Sequence, residues 1–191
     1  MPDPRFRFEA ALSYATVLCL LILSRMVFSP LLLEMERELG VSHAVSATFF
    51  LSISLGYAVT MVLSGFVAAR LRHRDTILLA TAVDAVGLVL VASSRSLWLM
   101  QPALFVVGAA TGLYVPSGVA SLYALFDGRR RGKAIGIHEV GASASFVLAP
   151  LLVAAAGAAS WRALLLALAA ATLAAGVLHR LRGAGGEFHG R

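Results

Sequence analysis

The chain has 191 residues, of which 59% are hydrophobic and only 14% charged, with a net charge of +6 and a mean hydropathy of +0.85. A water-soluble domain is roughly half apolar and about a quarter charged, so these proportions exclude an ordinary soluble fold and point to lipid as the surrounding solvent. The positive charge does not call for nucleic acid either, because it accompanies no recognition motif and fringes apolar runs, where anionic headgroups lie.

About 20 apolar residues at 1.5 Å rise cross a ~30 Å hydrocarbon core. Six runs of that kind are predicted, at residues 10–33, 47–69, 76–92, 97–125, 134–158 and 161–181. They are continuous rather than alternating, which excludes the ~10-residue strands of a membrane barrel. The first run is longer than the 7–15 apolar residues of a signal peptide, and no small-residue cleavage site follows in "SPLLLEMERE", so it is expected to remain as a helix. It holds Cys19, the only cysteine, read as a small core residue, and also Arg25 and the pair Ser29-Pro30.

The second run ends at Arg70, Arg72 and Arg74, and the third carries Asp84. The fourth has Gly108 and Gly112 at a spacing that lets helix backbones approach closely, then Pro116 and Gly118. The fifth follows Arg129, Arg130, Arg131 and Lys133 and holds His138 and Glu139 near its start; only Gly157 and "SWR" separate it from the sixth. The connections are short, so the chain is read as a segment at 1–9, one six-helix domain at 10–182 and a flexible tail at 183–191.

Charge orients the bundle. Twelve of the sixteen Lys and Arg residues fall at the termini and in the loops after the second and fourth runs, whereas Arg37, Arg95 and Arg162 lie on the other side. The positive-inside rule then puts both termini in the cytoplasm. An even helix count independently requires the termini to share a side.

Five stretches, in order, carry a family likeness: "SRMVFSPLLLEMERELGVS" (24–42), "GFVAARLRHR" (65–74), "RRRGKAIGI" (129–137), "GASASFVLAP" (141–150) and "SWRALLLAL" (160–168). Together they resemble one half of a major facilitator superfamily transporter. The second resembles the family's signature between helices two and three, the third its Arg-Gly start of helix five, and the fifth its Trp-Arg start of helix six. The resemblance implies an all-α membrane protein with six transmembrane helices in a 3+3 inverted-repeat bundle, the half of a twelve-helix carrier whose substrate lies near the midplane. It also implies a cytoplasmic gate at Gly65, Arg70, Arg74, Arg131 and Gly132.

There are departures from the family pattern. Ala69 stands where the signature has an acidic residue, and Arg72 where it has a second glycine. Leu104 stands where some proton-coupled members have an arginine, four residues before the equivalent of Gly108. Ser145 and Ala149 replace glycines. The chain is also half the family's length, which leaves a natural half-transporter, one product of a split gene, or a fragment.

A charge at the centre of a membrane helix costs roughly 2.5–3.5 kcal/mol on insertion scales, so it needs a compensating role. Arg25 and Asp84 are expected at similar depth. Arg25 is read as a counter-ion for an anionic substrate or as part of a proton-coupling pair with Asp84; against that, the two are read as a structural ion pair, or Arg25 as snorkelling outward. Glu139 is read as ion-coupling or as a carboxylate matched to its helix N-terminus. Thr111, Tyr114 and Ser117 lie near the helix-four interruption that pairs with Ser29-Pro30 in helix one, the pattern that marks a binding site in inverted-repeat carriers. Their hydroxyls are candidates for substrate contact, set against ordinary helix packing.

Three functions follow: a secondary carrier half for a small solute, a non-transporting six-helix assembly subunit or remnant, and an intramembrane serine protease. The protease has least support. Ser117 sits in "VPSG" rather than a Gly-x-Ser setting, and His138 and His179 are expected near the cytoplasmic surface. No metal-ligand cluster, phosphate loop or haem motif is evident, so no cofactor is expected. The expected partners are membrane lipid, a solute, and a second six-helix half supplied by another copy or another chain.

Overall fold

The computed structural model describes residues 4–157 and 160–190. Seven helices build six spans: α1 (Pro4–Met26), α2 (Phe28–Leu39), α3 (His43–Arg70), α4 (His73–Ser93), α5 (Leu97–Leu125), α6 (Gly128–Ala156) and α7 (Trp161–Arg182). All six spans are long and apolar enough to cross a membrane, with α1 and α2 sharing the first. Each predicted run lies within a span, except that the fifth overruns α6, which ends at Ala156 with Gly157 as its C-cap; its expected end, Ala158, falls outside the described residues. The helices overrun the apolar runs at several ends. α6 starts at Gly128 and takes in the Arg129–Lys133 cluster, because backbone hydrogen bonding continues into the interface after apolarity stops.

The α1–α2 break at Val27 has a covalent cause. Pro30 has no N–H for the Met26 carbonyl, and its ring crowds that carbonyl. The chain bridges the gap through Val27 N–H to the Leu23 carbonyl (2.9 Å) and Leu31 N–H to the Val27 carbonyl (3.3 Å). α2 is amphipathic, burying Phe28, Leu31 and Met35. It stops at Gly40, whose φ of 64° is left-handed, with its N–H returning to the Glu36 carbonyl.

α5 is the most enclosed span, packed between α3 and α4. α7 covers α4, and α1 lies against α6 and α7. The core falls into two clusters. One, around Phe28, Phe49, Leu88, Met100, Leu104 and Trp161, fills the far end of the bundle. The other, around Tyr14, Leu18, Ile77, Tyr114, Leu122 and Phe126, fills the end that carries the chain termini and the basic loops, here called the basic end. α3 and α6 leave broad apolar faces exposed, including Leu55, Val62 and Phe66 on one and Val140, Phe146 and Leu151 on the other.

Residues 183–190, read from composition as linker, run back across the α3–α4 connection. The Phe188 carbonyl accepts from His73 N–H (3.0 Å), the Gly186 carbonyl from Arg74 N–H (2.8 Å), and Gly190 N–H donates to the Ala68 carbonyl (2.7 Å).

At the same end Asp75 on α4 meets Arg180 on α7 at 2.7 Å, with side chains 36% and 41% exposed. Pairs this wet contribute little. Arg180→Ala is expected to change stability by less than about 1 kcal/mol, read by chemical unfolding in mild detergent; a larger loss would mean that the pair fastens α4 to α7.

Candidate functional site

Arg25 and Asp84 are the charged side chains away from the ends of the first and third spans. Arg25, half-buried in the last turn of α1 before the break, places its guanidinium 4.8 Å from the ring centre of Tyr57 on α3. Its Nε is buried without a hydrogen-bond partner. Asp84 on α4 is fully buried. Its Oδ2 accepts from Ser24 Oγ at 2.7 Å, while Oδ1 is unpartnered. Arg25 and Asp84 therefore sit at neighbouring levels, as their spacing from the helix ends suggests, yet they do not form an ion pair. Successive residues on a helix point about 100° apart, so α1 turns Ser24 to α4 and Arg25 to α3.

The fourth-span hydroxyls are engaged inside the bundle. Thr111, Tyr114 and Ser117 are all fully buried. Thr111 Oγ1 lies 3.4 Å from the Leu21 carbonyl, and Ser117 Oγ lies 3.1 Å from Nδ1 of His73 at the start of α4. Phe188 from the returning segment stands edge-on to His73, ring centres 4.7 Å apart, and closes that side. Ser117 thus meets a histidine, though neither His138 nor His179, and the sealed pair joins α4 to α5.

Tyr114 has two neighbours. Its hydroxyl is 2.8 Å from the Tyr14 carbonyl on α1 and 3.0 Å from Nε2 of His138 on α6. The other ring nitrogen, Nδ1, is 3.0 Å from Glu139 Oε1. The His138 side chain is 1% exposed and that of Glu139 60%. Because α6 starts at Gly128, this pair lies about three turns, roughly 15 Å, along the helix. That is deeper into the helix than a count from the start of the apolar run suggests.

At the basic end, Arg74 Nη2 donates to the Gly183 carbonyl (2.9 Å), and Nη1 meets Glu187 (3.2 Å). Arg131 donates from Nε to the Phe126 carbonyl and from Nη2 to the Tyr123 carbonyl, both at 3.1 Å, and lies over the Tyr123 ring. Those carbonyls end α5 and have no partner further along the helix. Gly65, Arg70 and Gly132 are exposed. The five gate candidates thus share one end, where Arg74 ties the loop after α3 to the segment after α7 and Arg131 caps α5.

Sequence reasoning did not single out Ser24, Tyr57 or the Glu38–Arg162 clasp at the far end as site residues, and it noticed His138 only as the neighbour of Glu139. Helical spacing gives the face a residue occupies but not the helix that face meets. The signals available were the imidazole beside a carboxylate within an apolar run and the Trp-Arg pair at the start of the sixth span. Among the described residues there is no group of three or more side chains able to hold a metal ion.

A sequence model of the Major Facilitator Superfamily matches residues 14–184. Similar solved structures include a bacterial homologue of the human lysosomal transporter Spinster, inward-facing and unoccupied, with TM-score 0.86 and 15% identity over 96% of this chain and 44% of that one. A variant of the peptide transporter POT in complex with sulfate has TM-score 0.77 and 17% identity, covering 99% and 41% of the two chains. The POT family transporter PepTSo has TM-score 0.71 and 22% identity, covering 97% and 39%. At these identities the likeness is one of fold. The chain spans less than half the length of each.

Proposed function

The chain belongs to the Major Facilitator Superfamily, and on that premise we propose that it is one half of a secondary carrier, moving a small solute by alternating access together with a second six-helix half. The observation that carries this reading is Glu139. Its carboxylate is 60% exposed, about 9 Å along α6 beyond the Arg129–Lys133 cluster, on a mainly apolar face that includes Ile135, Phe146 and the small hydroxyl of Ser143. Facing lipid, a carboxylate there would be costly; facing an aqueous path between two halves, it is solvated. Arg25 is the matching cation on α1, and its free Nε and the Tyr57 ring suit an organic anion.

The packing supports a 3+3 inverted repeat. α3 against α5 corresponds to α6 against α1, and the close approaches match: Gly56 on α3 abuts the Phe105 carbonyl, and Gly141 on α6 abuts the Ala15 carbonyl. Both the first and fourth spans carry an internal proline, Pro30 and Pro116. In this reading residues 10–182 are the carrier half and the basic end is cytoplasmic in a cell or inner membrane, by the charge asymmetry. Arg74 and Arg131 then belong to the cytoplasmic gate.

Native mass measurement in mild detergent tests the carrier against the assembly-subunit reading. A homodimer or a complex with a second six-helix chain is expected, and a persistent monomer would overturn the carrier reading. For the solute, a panel of small carboxylates, sulfates and phosphates is screened by thermal shift of that complex. Arg25→Ala is expected to weaken the stabilising anion by roughly 10- to 100-fold, the range of a charge-assisted hydrogen bond. Unchanged affinity would remove Arg25 from the site.

A further inference from the structure

The contacts around Tyr114 constrain where the protons sit. A hydroxyl has one hydrogen and accepts with its lone pairs, a carbonyl only accepts, and a carboxylate only accepts. The 2.8 Å contact between the Tyr114 hydroxyl and the Tyr14 carbonyl therefore uses the Tyr114 hydrogen. The 3.0 Å contact with Nε2 must then be a hydrogen bond from Nε2–H to the Tyr114 oxygen. That leaves Nδ1 facing Glu139 Oε1 at 3.0 Å, where two lone pairs would repel. One more hydrogen must lie between them. Ring and carboxyl together thus hold one proton more than a neutral imidazole beside a carboxylate.

Release of that proton has one arrangement that keeps the Glu139 contact. Nδ1–H stays on the carboxylate, Nε2 becomes an acceptor, and the Tyr114 hydroxyl rotates from the Tyr14 carbonyl to Nε2. The Tyr14 carbonyl lies inside α1 and keeps its helical partner. The net change is the loss of one proton from the pair and of the Tyr114 hydrogen bond to the Tyr14 carbonyl. Each proton gained or lost therefore makes or breaks one hydrogen bond between α5 and α1, beside the tight approach of Gly141 on α6 to Ala15 on α1.

We propose that His138 and Glu139 form a binding site for one proton, and that the Tyr114 hydroxyl reports its occupancy to α1. Its use in transport rests on the carrier reading, where it makes the coupling ion a proton; the binding itself does not.

The surrounding groups permit this. From α5 the group facing His138 is Tyr114. From α1 it is Tyr14, whose ring turns away to His179 of α7, centres 4.5 Å apart, while Cys19 lies in the groove with Ile137 and Gly141. α2 meets α6 toward the far end, where Glu36 is held by His43 and Ser46 and Glu38 by Trp161 and Arg162. On the basic side, Arg130 and Lys133 line a groove that reaches Ile137. Among the described residues only Glu139 and Tyr114 bond to the His138 ring.

The test uses the full chain in lipid nanodiscs, with isotope-labelled histidine ring nitrogens and tyrosine carbonyls followed by nuclear magnetic resonance from about pH 5 to 8, the span over which histidine switches. His138 is expected to gain or lose one proton, with the Tyr14 carbonyl moving at the same midpoint. Tyr114→Phe, which keeps the ring, should leave the His138 step and abolish the Tyr14 response. Glu139→Gln should move the step out of that window. A His138 ring that does not titrate, or that titrates while the Tyr14 carbonyl stays still, would overturn the proposal. Neither readout needs a solute or a second half, so a chain that binds the proton yet stays a monomer would sink the carrier reading alone.

Discussion

Gly108→Val is expected to cost about 3 kcal/mol or more, the upper range for forcing extra carbon into a packed interior. Gly108 is where α5 crosses α3. A Cβ there would overlap the Ile53 carbonyl oxygen and come within 2.7 Å of its carbon and 2.9 Å of its Cα. These are backbone atoms within α3, so no side chain can turn aside, and the two helices must separate. Separation would also undo the neighbouring approaches, Gly56 to the Phe105 carbonyl and Gly112 to Tyr57 and Thr60, and the Thr60 Oγ1 bond to the Ala109 carbonyl at 2.8 Å. In lipid such close packing carries the association, because tails are as apolar as leucine and no hydrophobic term holds α3 to α5. Chemical unfolding in detergent measures the loss. Gly136→Ala is the control: nothing lies within 4 Å of its Cβ position, and alanine in a helix interior gains about 0.5–1 kcal/mol over glycine. Equal stability of Gly108→Val and the parent would mean that α3 and α5 are not held at this distance.

That crossing was partly legible in the sequence. The Gly108–Gly112 spacing identifies a packing face, and continuous apolarity identifies six spans, because in lipid a helix is apolar all round. The break at Val27 follows from Pro30. What the sequence withholds is which faces meet. Ser24 and Arg25 are adjacent in the chain, yet one goes to Asp84 on α4 and the other to Tyr57 on α3. No local pattern distinguishes the two directions. His138 shows the same limit: its neighbour Glu139 is in plain view, but Tyr114 is 24 residues away and becomes its partner only because α5 and α6 both pack against α1. The polar partners are set by tertiary packing, and so only one side of each pair could be read from the chain.

Arg162→Ala is expected to lower stability by about 2–3 kcal/mol, the range for losing hydrogen bonds made by a charged group. Three elements meet on this guanidinium at the far end. Nη1 donates to the Ala92 carbonyl (2.5 Å) and the Ser94 carbonyl (2.8 Å) at the end of α4, carbonyls that lack an onward helical partner. Nη2 and Nε reach Glu38 Oε1 on α2 at 2.6 and 3.0 Å. The guanidinium lies 4.3 Å from the Trp161 ring centre, and Trp161 Nε1 donates to the other Glu38 oxygen at 2.5 Å. Glu38 is 46% exposed and regains water when the arginine is lost, so the cost falls on the α4 carbonyls and on the placement of Trp161 in the core. Arg162→Lys separates charge from shape. One ammonium on a flexible stem cannot serve α4 and α2 in the geometry of a planar fork, so lysine should recover less than half of the loss in thermal unfolding. Full recovery by lysine would show that charge near Glu38 is sufficient, and the joint among α2, α4 and α7 would then not depend on the fork.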